Sequence, residues 1–386
     1  MPPPRNIAAF IESSRSYGRS LIRGIADFAT GEDWQLLFQE SALSHSVPDW
    51  VKDPDISGIL ARISSRAMAD SLAGLNVPVV DLLGEFPHPE IPRVVCDNHA
   101  IAAAAFEFFA SAGFGNFAYC GYNGIHYSDV RRTSFAAAAA GKNITVDVYQ
   151  SGSSGTDIAR REARRIGRTN RLRQWLDGLE KPVAIFCAND TRALDVSAAC
   201  RACDIAVPQD VAILGVDDDP LFCELASPPN SSVKPDTRLQ GRRAAEFLKS
   251  MIEGTGTPPA ETLISPLPIT ERTSTDVVIS DLPHIAAALR FIRRHLAESI
   301  SRDDIAAYAG VSPSLLDRDF KCRLGRTSAE ELRLLRLNRV RQILTTTDLS
   351  LDEIARQTGF SNKVSLSHFF KTHTGISPGT LRKTRK

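Results

Sequence analysis

From about residue 5 to residue 223, short apolar runs alternate with stretches whose apolar positions recur every three or four residues. The runs at 7–11, 34–39, 58–63, 77–82, 93–96, 117–121, 144–149, 183–187 and 211–216 have the length and turn-residue boundaries of buried strands. Between most of them, 19–29, 99–112, 128–140, 157–176 and 190–203 carry the spacing of helices packed on a sheet. Strands alternating with helices predict parallel sheets covered on both faces, and so many strands fit two lobes better than one. Beyond about residue 283 the strand pattern stops and only helical spacing continues.

That last stretch carries one pattern twice. Ile305-Ala306 leads to Gly310 and then Ser312, and Ile354-Ala355 leads to Gly359 and then Ser361, so the two glycines stand 49 residues apart. Phe320-Lys321 ending at Gly325 is answered by Phe370-Lys371 ending at Gly375. A small Ala lets two helices cross closely, the Gly ends the first helix in a left-handed turn, and the Ser caps the second. Each unit therefore reads as a helix-turn-helix. Ser350 with Glu353 and Ser328 with Glu331 have capping-box spacing, and Ser312-Pro313 supplies an N-cap with Pro at the first helical position.

Charge divides the chain at the same place. From Leu282 onward there are 19 Lys and Arg against 10 Asp and Glu, an excess of nine, so a total of +1 leaves the preceding body near −8. A basic module on an acidic body is the electrostatic footprint of phosphate binding. At 386 residues two or three domains are expected. No apolar run approaches the length of a membrane span, and the apolar start at 7–11 is too short for a signal-peptide core, so a cytoplasmic protein with no membrane partner is expected. Seven scattered Cys predict free thiols. Cys200 and Cys203 are the one close pair, and without a second Cys or His cluster they predict helix packing and no metal site.

The stretch from about 285 to 382 resembles the DNA-binding domain of the arabinose-regulator (AraC) family, above all in Ile354-Ala355-Arg356-Gln357-Thr358-Gly359-Phe360-Ser361 and in Phe370-Lys371-Thr372-His373-Thr374-Gly375-Ile376-Ser377-Pro378. The resemblance implies two helix-turn-helix units joined by one long helix, here about 329–345. The body resembles the effector domain of Lac-repressor-type regulators, itself of sugar-binding-protein fold. The segment Val207-Pro208-Gln209-Asp210-Val211-Ala212-Ile213-Leu214-Gly215-Val216-Asp217-Asp218 carries most of this likeness, supported by 94–98, Ala188-Asn189-Asp190 and Glu271-Arg272-Thr273-Ser274-Thr275. The order of the two modules, with Tyr17-Gly18-Arg19 near the start, resembles that of xylose-operon regulators.

The fold class this implies is α/β: a two-lobed, parallel-sheet effector domain at 5–275, followed by an all-α tandem helix-turn-helix domain at 284–386. Lobe one would span about 5–112 and 237–253, lobe two about 113–231 and 264–272, with a linker at 276–283. The function implied is a transcriptional regulator that binds operator DNA and answers to a small sugar, xylose or another pentose. Dimerisation through the effector domain is expected, contact with RNA polymerase is left open, and no cofactor is called for. The rival readings are a sugar-processing enzyme and a sugar-transport protein. The first lacks a Gly-rich phosphate loop, a Gly-x-Ser-x-Gly elbow or a catalytic dyad, and neither explains the repeat.

Ligands of open α/β sheets lie beyond the carboxyl ends of the strands. Sugar hydroxyls need the paired donors and acceptors of carboxylates, amides and guanidinium groups. The resemblance carries Asp97, Arg131, Asn189 and Asp217 to the sugar-contacting positions, with Ser13, Tyr17, Arg132, Asp190, Arg192 and Asp218 behind them. An Asp at a strand end also caps the following helix, so several of these have a purely structural alternative. In the basic module the second helix of each unit would enter the major groove. Ser314, Asp317 and Arg318 are the candidate base-reading residues of 313–324, and Asn362, Lys363, Val364, Ser367 and His368 those of 362–374, with Leu315, Leu316, Phe320, Leu366, Phe369 and Phe370 expected in the core.

Overall fold

The computed structural model describes residues 5–40, 47–150, 169–277, 282–346 and 349–383, and it separates into two compact units, Met1–Thr275 and Asp276–Lys386. The first unit holds twelve described strands: β1 (Arg5–Ile11), β2 (Trp34–Glu40), β3 (Ile56–Ala61), β4 (Val79–Asp81), β5 (Arg93–Cys96), β6 (Asn116–Cys120), β7 (Val146–Val148), β8 (Val183–Cys187), β9 (Val211–Val216), β10 (Ser231–Lys234), β11 (Glu261–Ile264) and β12 (Leu267–Thr270). They form two six-stranded sheets, ordered β11-β5-β4-β3-β1-β2 and β12-β10-β9-β8-β6-β7. Every pairing is parallel apart from that of β10 with β12. Two α/β lobes with a separate helical module therefore match the expected fold class.

The central strands are buried on both faces, which explains their unbroken apolar runs. Ile7, Ile11, Leu60 and Val80 share a core with Leu21 and Ile25 of the helix Ser16–Ala29 and with Leu248 of the helix Thr237–Glu253. Those two helices cross backbone to backbone. A β-carbon on Gly24 would overlap the carbonyl of Arg238, and one on Gly241 that of Leu21, so the crossing admits only Gly on both sides.

Three connections join the lobes: β5 to the helix Asn98–Ser111, β10 to the helix Thr237–Glu253, and β11 to β12. Two expectations need correction here. The helix 98–111 packs on the second lobe, with Phe106 5.1 Å from Phe117 and 5.9 Å from Phe135 between ring centroids, so the first lobe ends near Cys96. The expected second-lobe strand at 264–272 is the shorter β12, paired with β10 in the second sheet, and before it comes an unexpected strand, β11, paired with β5 in the first. The part of the expected helix 157–176 before residue 169 lies outside the described residues, and its visible end is the helix Asn170–Gly178. Cys200 packs in the second-lobe core beside Val196 and Leu176.

The second unit is helical throughout its described residues. The helix Pro283–Arg294 packs with Arg302–Ala309 and Pro313–Leu324 around Ile292, Ile305, Leu316 and Phe320. Ser328–Thr346 joins this group to a second, in which Leu351–Gln357 and Lys363–Thr374 pack around Ile354, Leu366 and Phe370, followed by Pro378–Lys383. Gly310 and Gly359 both take the left-handed conformation that turns one helix into the next, with φ of 70° and 76°. The caps differ in detail from the sequence reading. Thr327 with Glu330, one residue earlier than expected, closes the start of the long helix, and Asn362 in place of Ser361 caps Lys363–Thr374. Among the described residues no helix is long and apolar enough to cross a membrane.

Candidate functional site: a cleft between the lobes and a tandem helix-turn-helix face

Within the first unit, the carboxyl ends of both sheets face a cleft that is open to solvent. Glu12 follows β1, Arg62 follows β3 and Cys96 ends β5 on one side; Tyr127, Arg131, Asn189 and Asp217 come from the other. This is where open α/β sheets bind ligands.

Arg131 anchors the second-lobe wall. It is 4% exposed, its Nε donates to Asn98 Oδ1 at 2.8 Å, its Nη1 donates to the Ala188 carbonyl, and its guanidinium lies 5.0 Å from the Tyr127 ring centroid. Asn189 caps the helix Asp190–Ala202 through its oxygen, which also accepts from Tyr122, while its amide donates to Tyr127 Oη at 3.4 Å. Asp217 and Asp218 both hold positive φ, 112° and 48°, just past β9. Such strain in non-glycine residues persists only where the surroundings enforce it, and it collects at ligand sites. Tyr17 lines the first-lobe wall. Its hydroxyl donates to Gln240 at 2.9 Å and lies 3.3 Å from Cys96 Sγ. Burial, and then the neighbouring Cys96, push the phenol well above its usual range, and burial lifts the Cys96 thiol to about 11, so both stay neutral and act as hydrogen-bonding surface.

Of the four leading sequence candidates, Arg131, Asn189 and Asp217 reach the cleft and Asp97 does not. Asp97 caps the helix 98–111, accepting from the Ala100 amide at 2.9 Å, and its neighbour Asn98 faces the cleft instead. Of the other six, only Tyr17 is in the lining. Asp190 is buried beneath it, accepting from the Ser232 hydroxyl and the Asp219 amide. Desolvation first, then the charge of Asp217, raise its carboxyl well above the ordinary value. Asp218 pairs with Arg272 at 2.8 Å beside the lobe connection. Arg192 is buried against Asp195 and the Tyr122 ring, Arg132 pairs with Asp129 on its own helix, and the Ser13 carbonyl accepts from Arg19.

In the second unit the two turn-following helices expose their early residues. Ser314 and Arg318 are exposed, the Arg318 side chain 73% so, and its Nε pairs with Asp319 at 3.0 Å. Asp317 has other work: it accepts from both the backbone and the hydroxyl of Ser328 and pairs with Arg302 at 3.7 Å. It fastens the first recognition helix to the long helix, so the base-reading role expected of it is withdrawn. On Lys363–Thr374, Lys363, Val364 and His368 are exposed and Ser367 is half-buried. Asn362 spends its oxygen on the amides of Val364 and Ser365, which leaves only its NH₂ for a base or phosphate. Leu316, Phe320, Leu366 and Phe370 are fully buried, with Leu315 and Phe369 half-buried.

Residues 106–275 match the family of periplasmic binding protein-like domains, and residues 305–384 match a helix-turn-helix domain family. The Xylose operon regulatory protein of Escherichia coli K12 is 26% identical over 97% of this chain and 96% of its own. That of Haemophilus influenzae is 24% identical over 97% of each. The chain is similar to the xylose operon regulatory proteins over nearly its whole length. Among solved structures, a xylose-binding transcription activator superposes over 99% of this chain and 98% of its own, with a TM-score of 0.60 at 24% identity. A Lac-type regulator from Alkaliphilus metalliredigens, complexed with D-xylulofuranose, covers 72% of the chain with a TM-score of 0.57 at 19% identity. These structural likenesses speak for the fold.

Besides Leu83, Val95 and Cys96, five cleft residues escaped the sequence reading: Glu12, Arg15, Arg62, Asn98 and Tyr127. The signal for two of them was present. Glu12 follows a strand immediately, as Asp217 does, whereas Arg62 fell inside the expected strand 58–63. Tyr127 stands four residues before Arg131 on one helix, hence on the same face.

Proposed function

We propose that this protein is a sugar-responsive, DNA-binding regulator of transcription whose effector, xylose or another sugar of pentose size, binds between the lobes of the first unit. The observation that carries the reading is the joining, in one chain, of two designs. One is a cleft where Arg131, Asn189 and Asp217 meet from one lobe and Tyr17 from the other; the other is a basic tandem helix-turn-helix with Arg318 and Lys363 exposed early in its two recognition helices. Carboxylate, amide and guanidinium groups supply the paired donors and acceptors that a polyol takes up when it leaves water.

In mechanism, a sugar that touches both walls binds the closed arrangement of the lobes better than the open one and shifts the population toward it. The three connections between the lobes are where closure must bend the chain. The reading includes a cytoplasmic homodimer joined through the first unit, whose two basic modules would occupy neighbouring stretches of one operator. Thermal-shift measurements against a panel of pentoses and hexoses test the reading. A true effector at about 100 times its dissociation constant should stabilise the protein by about 2.7 kcal/mol, and a panel with no stabilising sugar would contradict it.

A further inference from the structure

Two helices that border the cleft have no N-cap side chain of their own. The helix Ser16–Ala29 is preceded by Arg15 and the helix His126–Ala140 by Ile125, and neither side chain caps the first turn. The other α-helices described in the first unit are capped from within, by Ser65, Asp97, Thr169, Asn189, Asp219 and Asp236. The missing acceptors come from the opposite lobe. The Ser16 amide of lobe one donates to Asp219 Oδ2 at 2.8 Å, with Arg19 3.9 Å from the same oxygen, and the His126 amide of lobe two donates to Glu85 Oε1 at 2.6 Å. The exchange is reciprocal in topology too. Glu85 lies past β4 and Asp219 past β9, each the third strand of its sheet, and the recipient helices follow β1 and β6, each the fifth.

Both acids are rooted in their own lobes. Phe86 packs against the first-lobe core and the Pro87 carbonyl accepts from Arg66, while the Asp219 amide donates to buried Asp190 and Asp219 Oδ1 accepts from the Leu221 amide at 3.1 Å. Separating the lobes therefore breaks both bonds and hands two amides and two carboxylates to water. A carboxylate at a helix N-terminus is favoured by the orphan amides and the dipole there, and one such cap shifts an equilibrium by about fivefold. That is small enough for a ligand to override. The recipient turns also build the cleft: Tyr17 follows Ser16, Tyr127 follows His126, and the lining residues Leu83 and Asp217 stand two positions before Glu85 and Asp219. We propose that Glu85 and Asp219 are positioning residues, a reciprocal pair of clasps that bias the lobes toward closure and so set how tightly a ligand in the cleft is held. The proposal goes beyond the sugar reading, since the clasps act on the lobes whatever the ligand is.

Spin-label distances in the full chain test it, with labels at Asp70→Cys in lobe one and Ala137→Cys in lobe two, both exposed, in a background carrying Cys203→Ser and Cys322→Ser. Glu85→Ala removes one clasp. Asp219→Asn removes the other, because its single oxygen can still cap Leu221 while its NH₂ faces the Ser16 amide. Without ligand, each variant should move the ratio of shorter to longer interlobe distances by about fivefold toward the longer. Distance distributions in both variants that match the parent's overturn the proposal, and either variant alone decides should the other fail to fold. In calorimetry D-xylose should bind each variant about two- to fivefold more weakly than the parent, although neither residue lines the cleft, and Glu85→Gln, which keeps an acceptor, should recover most of the loss. Parent-like D-xylose affinity in both Glu85→Ala and Asp219→Asn would equally overturn it. If D-xylose does not bind the parent, the pentose reading falls while the distances still decide the clasps.

Discussion

Asp97 and Asn98 are neighbours with opposite work, and the difference is measurable. Asp97 holds the first turn of the helix 98–111 through the Ala100 amide, while Asn98 accepts from Arg131 at the cleft wall. Asp97→Ala should cost about 1 kcal/mol of stability, the usual worth of an N-cap, and leave sugar affinity unchanged in calorimetry; a large loss of affinity would return Asp97 to the site. Arg131→Ala and Asp217→Ala should each abolish the sugar response, since removing one partner strands buried groups at about 1 to 3 kcal/mol apiece. Parent-like sugar binding by both variants would mean that the cleft has been misassigned. The sequence alone could not separate Asp97 from Asn98. A carboxylate after a strand looks the same whether it turns toward a ligand or folds back on its own helix, and only the direction of the side chain decides.

At the scale of elements, the long apolar strands were legible because double burial leaves an unbroken apolar run, as in β8 and β9. β10, Ser-Ser-Val-Lys, was not: its two serines are buried with hydrogen bonds to Ser274, Thr275 and Asp190, which no hydrophobicity pattern reports. The helix-turn-helix repeat was legible through its glycines and caps, whereas the tie between its halves was not. Arg336, on the long helix, donates to the carbonyls of Leu296 and Glu298 and lies 5.8 Å from the Phe360 ring centroid, so one side chain touches both halves. Arg318→Ala should cost about 1 to 3 kcal/mol and relax sequence preference over a few base pairs, if its contact is bidentate to guanine. Lys363→Ala should act about one helical turn away, lowering affinity without changing preference if it meets a phosphate. Selection from randomised duplexes on both variants checks this, and effects falling on the same base pairs would refute the tandem reading. In the same assay Arg336→Ala should weaken binding to the whole site while preserving preference in each half; altered preference in one half alone would show that it does not set their spacing.

At the scale of the molecule, a near-neutral chain conceals an acidic body and a basic module. The module from about residue 281 onward should bind duplex DNA without the body, with an affinity that falls steeply between low and physiological salt as counterions are released. Binding indifferent to salt would contradict the phosphate-contact reading of its charge. The central claim is that a ligand in the cleft of the first unit governs what the second unit does on DNA. By linkage, such coupling appears as a change in DNA affinity, typically about 5- to 150-fold. The most direct measurement is the affinity of the full chain for a selected duplex, by fluorescence anisotropy, with and without a saturating sugar that binds the cleft, in the parent and in Asp217→Ala. The account predicts a clear sugar-dependent shift in the parent and none in the variant. Equal affinity with and without sugar in the parent, or a full shift in the variant, would contradict it.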